Sequence, residues 1–260
     1  MLKGKCAIVT GSTSGIGQGI ARALAAQGCS VMLNGLGDSQ AIEQDRAALE
    51  TAAGVKVLYH PADMTDPAQI ADLVDTTERE LGSVDILVNN AGIQFTAPVE
   101  QFPPDRWNSI IAINLTSAFH TTRLALPKMR ARNWGRIINV ASVHGLVASV
   151  HKAAYVAAKH GLIGLTKVVA LETAESNITC NAICPGWVRT PLVEAQIDAL
   201  AKRDNITTDE AAVKLLEEKQ PSKRFVEIDQ LGAITVFLCS EAAANVTGVS
   251  LPVDGGWTAR

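Results

Sequence analysis

Seven apolar, β-branched runs alternate with helix-patterned segments along the whole chain, and that alternation limits the possible folds more than any other feature. The runs fall at 5–11 (KCAIVTG), 30–35 (SVMLNG), 55–63 (VKVLYHPAD), 84–92 (VDILVNNAG), 135–142 (GRIINVAS), 177–186 (NITCNAICPG) and 249–256 (VSLPVDGG). Between them, 15–28, 39–53, 67–81, 104–132, 152–175, 191–217 and 228–240 carry helical patterning, several ended by glycine. Strands that are apolar throughout, rather than at every second residue, are buried on both faces. Helices on either side of a parallel sheet provide that burial. The segment 104–132 reads as one long helix, with Pro127 predicting a kink or break because proline lacks the backbone donor. No repeat, linker or low-complexity tract divides the chain, so 1–260 is expected to be one domain.

Composition removes several function classes. The 260 residues are 47% hydrophobic, enough for one well-covered core. Charged residues make up 19% with a net charge of −3, and neither a basic stripe for nucleic acid nor an acidic tail is present. Five cysteines (Cys6, Cys29, Cys180, Cys184, Cys239) have scattered spacing and read as reduced thiols of a cytoplasmic protein. Cys180 and Cys184 are four apart, but no second pair completes a zinc site, so no metal is expected. The N-terminal segment lacks the apolar core of a signal peptide, and no run approaches the roughly 18 apolar residues of a membrane span.

The first strand runs into GSTSGIG and then into a helix. Gly11, Gly15 and Gly17 let backbone approach a diphosphate closely, and the helix start offers free N–H groups with a partial positive charge. A glycine triplet alone is weak evidence, but its place between the first strand and the first helix is the context a dinucleotide site needs. The end of the second strand, NGLGD, holds no lysine or arginine, and neither does STSGI, so a 2′-phosphate would find no cation there. That favours NAD over NADP. Asp38 lies beyond the usual position of a ribose-binding acid, and Asp63 has an alternative role as a helix cap.

TGSTSGIG resembles the TGxxxGxG pattern of the short-chain dehydrogenase/reductase family. Further matches follow in that family's order: Asn89, Asn90, Ala91 and Gly92 (NNAG), Asn114, Ser142, Tyr155 with Lys159 (YxxxK), and Pro185 with Gly186. They span nearly the whole chain. The resemblance implies a Rossmann-type doubly wound sheet of about seven strands with helices on both faces, and a homotetramer. It also implies a cofactor held by Gly11, Thr13, Ser14, Gly15, Ile16 and Gly17, by Leu36, Asp63 and Met64, by Asn90, Ala91 and Gly92, by Tyr155 and Lys159, and by Pro185, Gly186, Val188 and Thr190.

Hydride chemistry at an oxygen-bearing carbon needs a proton moved on that oxygen. Tyr155 and Lys159 are i and i+4, on one helix face, and an ammonium favours the phenolate. Bringing a tyrosine down by about three units needs roughly 4 kcal/mol, which Lys159 and an oxidised nicotinamide together are expected to supply. The resemblance assigns Lys159 also to the nicotinamide ribose, Ser142 to the substrate oxygen, and Asn114 to a water on the proton path.

Gln94, His144, Lys152, Trp187, Gln196 and Trp257 surround this set at strand mouths and helix starts. Two potential cations and two amides suit a small carboxylate. They also resemble the subgroup of the family that converts (R)-3-hydroxybutyrate to acetoacetate, and the handedness comes from that resemblance alone. His151 and His160 are expected to be bystanders. The long charged segment 188–225 is expected to form a helical lid that closes over substrate. Two rivals remain. A carrier-thioester 3-oxoacyl reductase using NADPH would want a base near Ser14 or Leu36. A non-catalytic nucleotide-binding regulator would have lost part of the tetrad.

Overall fold

The computed structural model describes residues 2–259. Seven parallel strands form one sheet in the order β3-β2-β1-β4-β5-β6-β7. They are β1 (Cys6–Val9), β2 (Ser30–Asn34), β3 (Val57–His60), β4 (Ile86–Asn89), β5 (Gly135–Val140), β6 (Ile178–Pro185) and β7 (Ser250–Val253). The helices are α1 (Gly15–Ala26), α2 (Ser39–Ala53), α3 (Pro67–Leu81), α4 (Pro104–Ile111), α5 (Ser117–Arg132), α6 (Ala153–Glu172), α7 (Pro191–Asp204), α8 (Thr208–Lys219) and α9 (Ile228–Cys239). The doubly wound sheet read from the alternation is present, and strand order reverses between β1 and β4.

Successive strand residues serve opposite faces. Ala7 and Val9 of β1 pack with Ile20 and Leu24 of α1 and Leu231 and Leu238 of α9. Ile8, between them, packs on the other side with Ile70 and Leu73 of α3 and Met129 of α5. These side chains are almost fully buried, each valine, leucine, isoleucine or methionine among them contributing about 1.5–3 kcal/mol by leaving water. Local signals fix the helix ends. Asp38 caps α2 by accepting from the Ala41 amide at 2.8 Å, and Gly54 closes it at φ 64°. Asp66 caps α3, Pro67 opens it, and Gly82 ends it at φ 90°.

Two sequence expectations need correction. The stretch 104–132 is interrupted at a π-helical turn, Ala112–Thr116, while α5 runs through Pro127. The widened turn lets the Asn114 amide turn to the loop after β4, a local gain that the sequence pattern hides. Also, α6 is long and apolar enough to cross a membrane by length and composition. Ala154, Ala158, Leu162 and Val169 on one of its faces are buried inside the molecule, so its apolar character serves packing.

Gly17 sits where α1 crosses the end of β1. A Cβ there would lie 2.3 Å from the Gly11 carbonyl oxygen and 2.4 Å from Asn90 Nδ2. Gly17→Ala is therefore expected to cost about 1–3 kcal/mol or more through overpacking against backbone, read as a lowered melting temperature in a thermal denaturation.

Candidate active site

A cleft of about 490 Å³ opens at the carboxyl ends of the strands, over the β1/β4 reversal. Every residue expected from the sequence to touch cofactor or substrate lines it, except Gly17 and Asn114, which stand behind its wall.

The cofactor end is built on glycine. Gly11 (φ 62°) would bring a Cβ to 2.8 Å from Ala91 Cα, and Gly15 (φ 56°) passes under Thr190. Ser14, the N-cap of α1, makes no side-chain capping bond. The first amides of α1 thus stay available for an anion at a helix start. A cradle that a single Cβ would fill, facing such amides, fits a dinucleotide diphosphate. Thr10 Oγ1 accepts from the Asn90 and Ala91 amides at 3.0 Å each, and Asn90 Nδ2 donates to the Thr10 and Gly11 carbonyls at 2.9 Å each. NNAG is therefore bolted to the glycine turn.

Leu36, Asp63 and Met64 line the cleft beside Asn34. Sequence reading missed Asn34. It is buried, accepts from the Gly11 amide at 3.3 Å, and donates to the carbonyls of His60 (3.1 Å) and Ala62 (2.9 Å), drawing the ends of β1, β2 and β3 together. Its only signal was a polar residue closing an apolar strand. Asp38 caps α2 and does not line the cleft. Asp63 does not cap α3. Its carboxylate accepts from the Thr65 amide at 2.8 Å and hydroxyl at 2.9 Å, shaping the turn. Among the described lysines and arginines, only Lys152 and Lys159 line the cleft, both away from this end on the α6 side.

On that side, Ser142 ends the segment after β5 and accepts from the His144 amide at 3.2 Å. Lys159 donates to the Val140 carbonyl at 2.7 Å, and its ammonium lies 5.6 Å from the centre of the Tyr155 ring. Burial lowers Lys159 to about 8 and pushes the Tyr155 phenol up to about 12, opposed in part by a hydrogen bond with Ser142. The expected fall in the tyrosine is thus not seen: desolvation is the largest influence on the phenol and raises it. Asn114 Oδ1 accepts from the Ile93 amide at 2.9 Å and its Nδ2 donates to the Ile93 carbonyl at 3.0 Å. The side-chain amide fixes the loop after NNAG with one of its two N–H groups and one lone pair of its oxygen.

The far end brings the remaining residues together. Gln196 Oε1 accepts from both Gln94 Nε2 and Lys152 Nζ, each at 3.4 Å. Trp187 lies 5.0 Å beneath the Lys152 ammonium and 5.5 Å from Trp257, and its buried indole N–H has no hydrogen-bond partner. Burial lowers Lys152 to about 8. His144, expected as a second cation, is instead neutral. Burial, with the Lys152 charge, drives it down to about 3, between Ser149 (2.9 Å) and the faces of Tyr155 and Trp257. His151 is exposed in a left-handed turn (φ 65°), and its carbonyl accepts from the Ala97 amide at 3.0 Å. His160 is exposed on α6.

A family model described as enoyl-(acyl carrier protein) reductase matches residues 11–258. The chain is 59% identical to D-beta-hydroxybutyrate dehydrogenase of Cupriavidus necator over 260 residues, covering 100% of both. It is 51% identical to the protein of the same name from Rhizobium meliloti, covering 98% of this chain and 99% of that one. The crystal structure of levodione reductase superposes with a TM-score of 0.92 at 34% identity, covering 100% and 99%. Fold and site define a nicotinamide-dependent oxidoreductase. The chain belongs to the short-chain dehydrogenase/reductase family.

A ring that burial drives to about 3 stays uncharged through neutral pH. Titration of labelled His144 by NMR is expected to show no protonation from about pH 8 down to about pH 5, where a free imidazole would titrate near 6.5.

Proposed function

We propose that this enzyme interconverts (R)-3-hydroxybutyrate and acetoacetate using NAD. The carrying observation is the meeting of Gln94, Lys152 and Gln196 at one point. A single oxygen there draws an amide N–H and a buried ammonium, the pair that a substrate carboxylate oxygen would take. Trp187 and Trp257 wall the same end with apolar surface, suited to a short carbon chain. The names of the two full-length relatives support the substrate.

In the oxidation direction, the carboxylate binds at Lys152, Gln94 and Gln196, with the hydroxyl placed between Ser142 and Tyr155. A bound nicotinamide supplies the acceptor for the hydride from C3. Tyr155 takes the hydroxyl proton and Ser142 donates a hydrogen bond to the forming carbonyl. Lys159, with its ammonium 5.6 Å from the centre of the Tyr155 ring, stabilises the phenolate. Asn114, held against Ile93 by one lone pair and one N–H, would position a water on the proton path with the other two. Neutral His144, between Ser142 and Tyr155, orients both without adding charge.

NAD is favoured because, among the described residues, no lysine or arginine lines the cleft beside Leu36, so a 2′-phosphate would be desolvated without a cation to pair with. We read residues 188–225 as a lid that carries Gln196 onto the carboxylate, within a single-domain subunit of a cytoplasmic homotetramer.

Steady-state rates test the assignment. With NAD and (R)-3-hydroxybutyrate, turnover is expected, and NADP is expected to give kcat/KM lower by about 100-fold, the scale of one lost charged contact. Tyr155→Phe is expected to reduce kcat by about 10²–10⁴-fold or more, the range of general acid–base catalysis, with NAD affinity kept. Lys152 is charged below about 8 and neutral above it, so its attraction for a carboxylate is present at lower pH and lost as pH rises. KM for the acid is expected to be flat below about pH 8 and to climb up to about tenfold per unit above it. Lys152→Met should raise KM and flatten that profile, and a profile unchanged in Lys152→Met contradicts the carboxylate role.

A further inference from the structure

Gln220 is absent from the cleft wall, yet both aromatic walls of the substrate end depend on it. It is the C-cap of α8 and only 1% exposed. Its Oε1 accepts from the Trp187 amide at 2.9 Å, and its Nε2 donates to the Arg224 carbonyl. One side-chain amide thus ties the point where the chain leaves the sheet toward α7 to the point where it returns toward α9. The two roots also pair directly, the Val226 amide donating to the Trp187 carbonyl at 2.8 Å beside a Val188–Val226 bridge.

Trp257 is tied to the same clasp. The Ser222 amide donates to the Gly255 carbonyl at 2.9 Å. Asp254 holds the turn bearing Trp257 through the Thr258 amide (2.8 Å) and hydroxyl (2.6 Å). The fit leaves no slack. A Cβ on Gly186 would lie 2.5 Å from Gln220 Oε1, and one on Gly255 would lie 2.9 Å from Gln220 Cγ. Buried amides with both ends satisfied give unique geometry, and removing one strands a donor and an acceptor inside the protein.

We propose that Gln220 is a positioning residue for substrate selection. It clasps the two roots of the 188–225 excursion so that Trp187 and Trp257 stand as fixed walls against a short acid. It acts through these tryptophans and touches neither cofactor nor reacting atoms. The substrate side of this inference rests on the small-acid reading above.

Three measurements test it. Gln220→Leu is expected to raise KM for (R)-3-hydroxybutyrate by about tenfold or more, the scale of one stranded buried pair. NAD affinity should change less than about twofold, and kcat for a five- or six-carbon 3-hydroxy acid should fall less than for the four-carbon one. Equal weakening of NAD and acid, or an unchanged KM, overturns the proposal. Gln220→Glu is expected to recover near about pH 6, where a buried carboxyl raised by desolvation carries the proton that can reach the Arg224 carbonyl. It should lose this recovery near about pH 8. A KM equally raised at both values counts against the clasp.

The third measurement is amide hydrogen exchange on the unsubstituted enzyme, and it stands even if the variants do not fold. The Trp187 and Val226 amides should exchange much more slowly than those in the middle of α7, and equal rates refute a fixed clasp. If wild type fails to turn over 3-hydroxybutyrate while these amides stay protected, the substrate reading falls and the clasp does not.

Discussion

The weld between β1 and β4 carries the rest of the structure. Parallel strands order the sheet, but where the winding reverses no helix covers the gap between neighbouring strand ends. There the Thr10 hydroxyl and the Asn90 amide exchange bonds with each other's backbone, and Gly17 permits the approach by having no side chain. The closure replaces water with protein donors at the bottom of an open cleft. It aims the start of α1 at the same space that NNAG borders, so one set of four hydrogen bonds shapes both halves of the nucleotide floor.

Electrostatics at the other end is sparer than a residue list implies. Four basic side chains crowd 144–159, and only Lys152 and Lys159 enter the cleft as cations. Both are buried and both are lowered to about 8, so each sits near its own neutralisation and responds strongly to any nearby charge. His144 has gone fully neutral between Ser149 and two aromatic rings. Among the described residues the site therefore holds positive charge at two points, one beside the phenol and one beside Gln94 and Gln196. Neutral groups fill the space between them.

Much of this was legible in the sequence because it depends on local rules. Strand and helix order followed from hydrophobic period, the ends of α2 and α3 from their glycine stops, and the glycine turn from its place after β1. What escaped was set by tertiary context. The π-turn arises because Asn114 gains Ile93 across a loop, which no helical pattern announces. The charge of His144 depends on burial rather than on residue type. Asn34 and Gln220 looked like ordinary polar residues, and only the fold reveals that each satisfies backbone groups from separate segments. Asp38, by contrast, was doing the local work its residue type favours at a helix start.

The first residue of α6 is preceded by Lys152 as its N-cap, with Tyr155 and Lys159 following along the same helix. A helix rises about 1.5 Å per residue, so the backbone points from which Lys152 and Tyr155 reach into the cleft are spaced along one rigid rod. That rod is a ruler. In the proposed reaction it sets the span from the acid group of a substrate to the carbon being oxidised. Loops can drift and a lid can open, but a mark cut into a helix keeps its spacing.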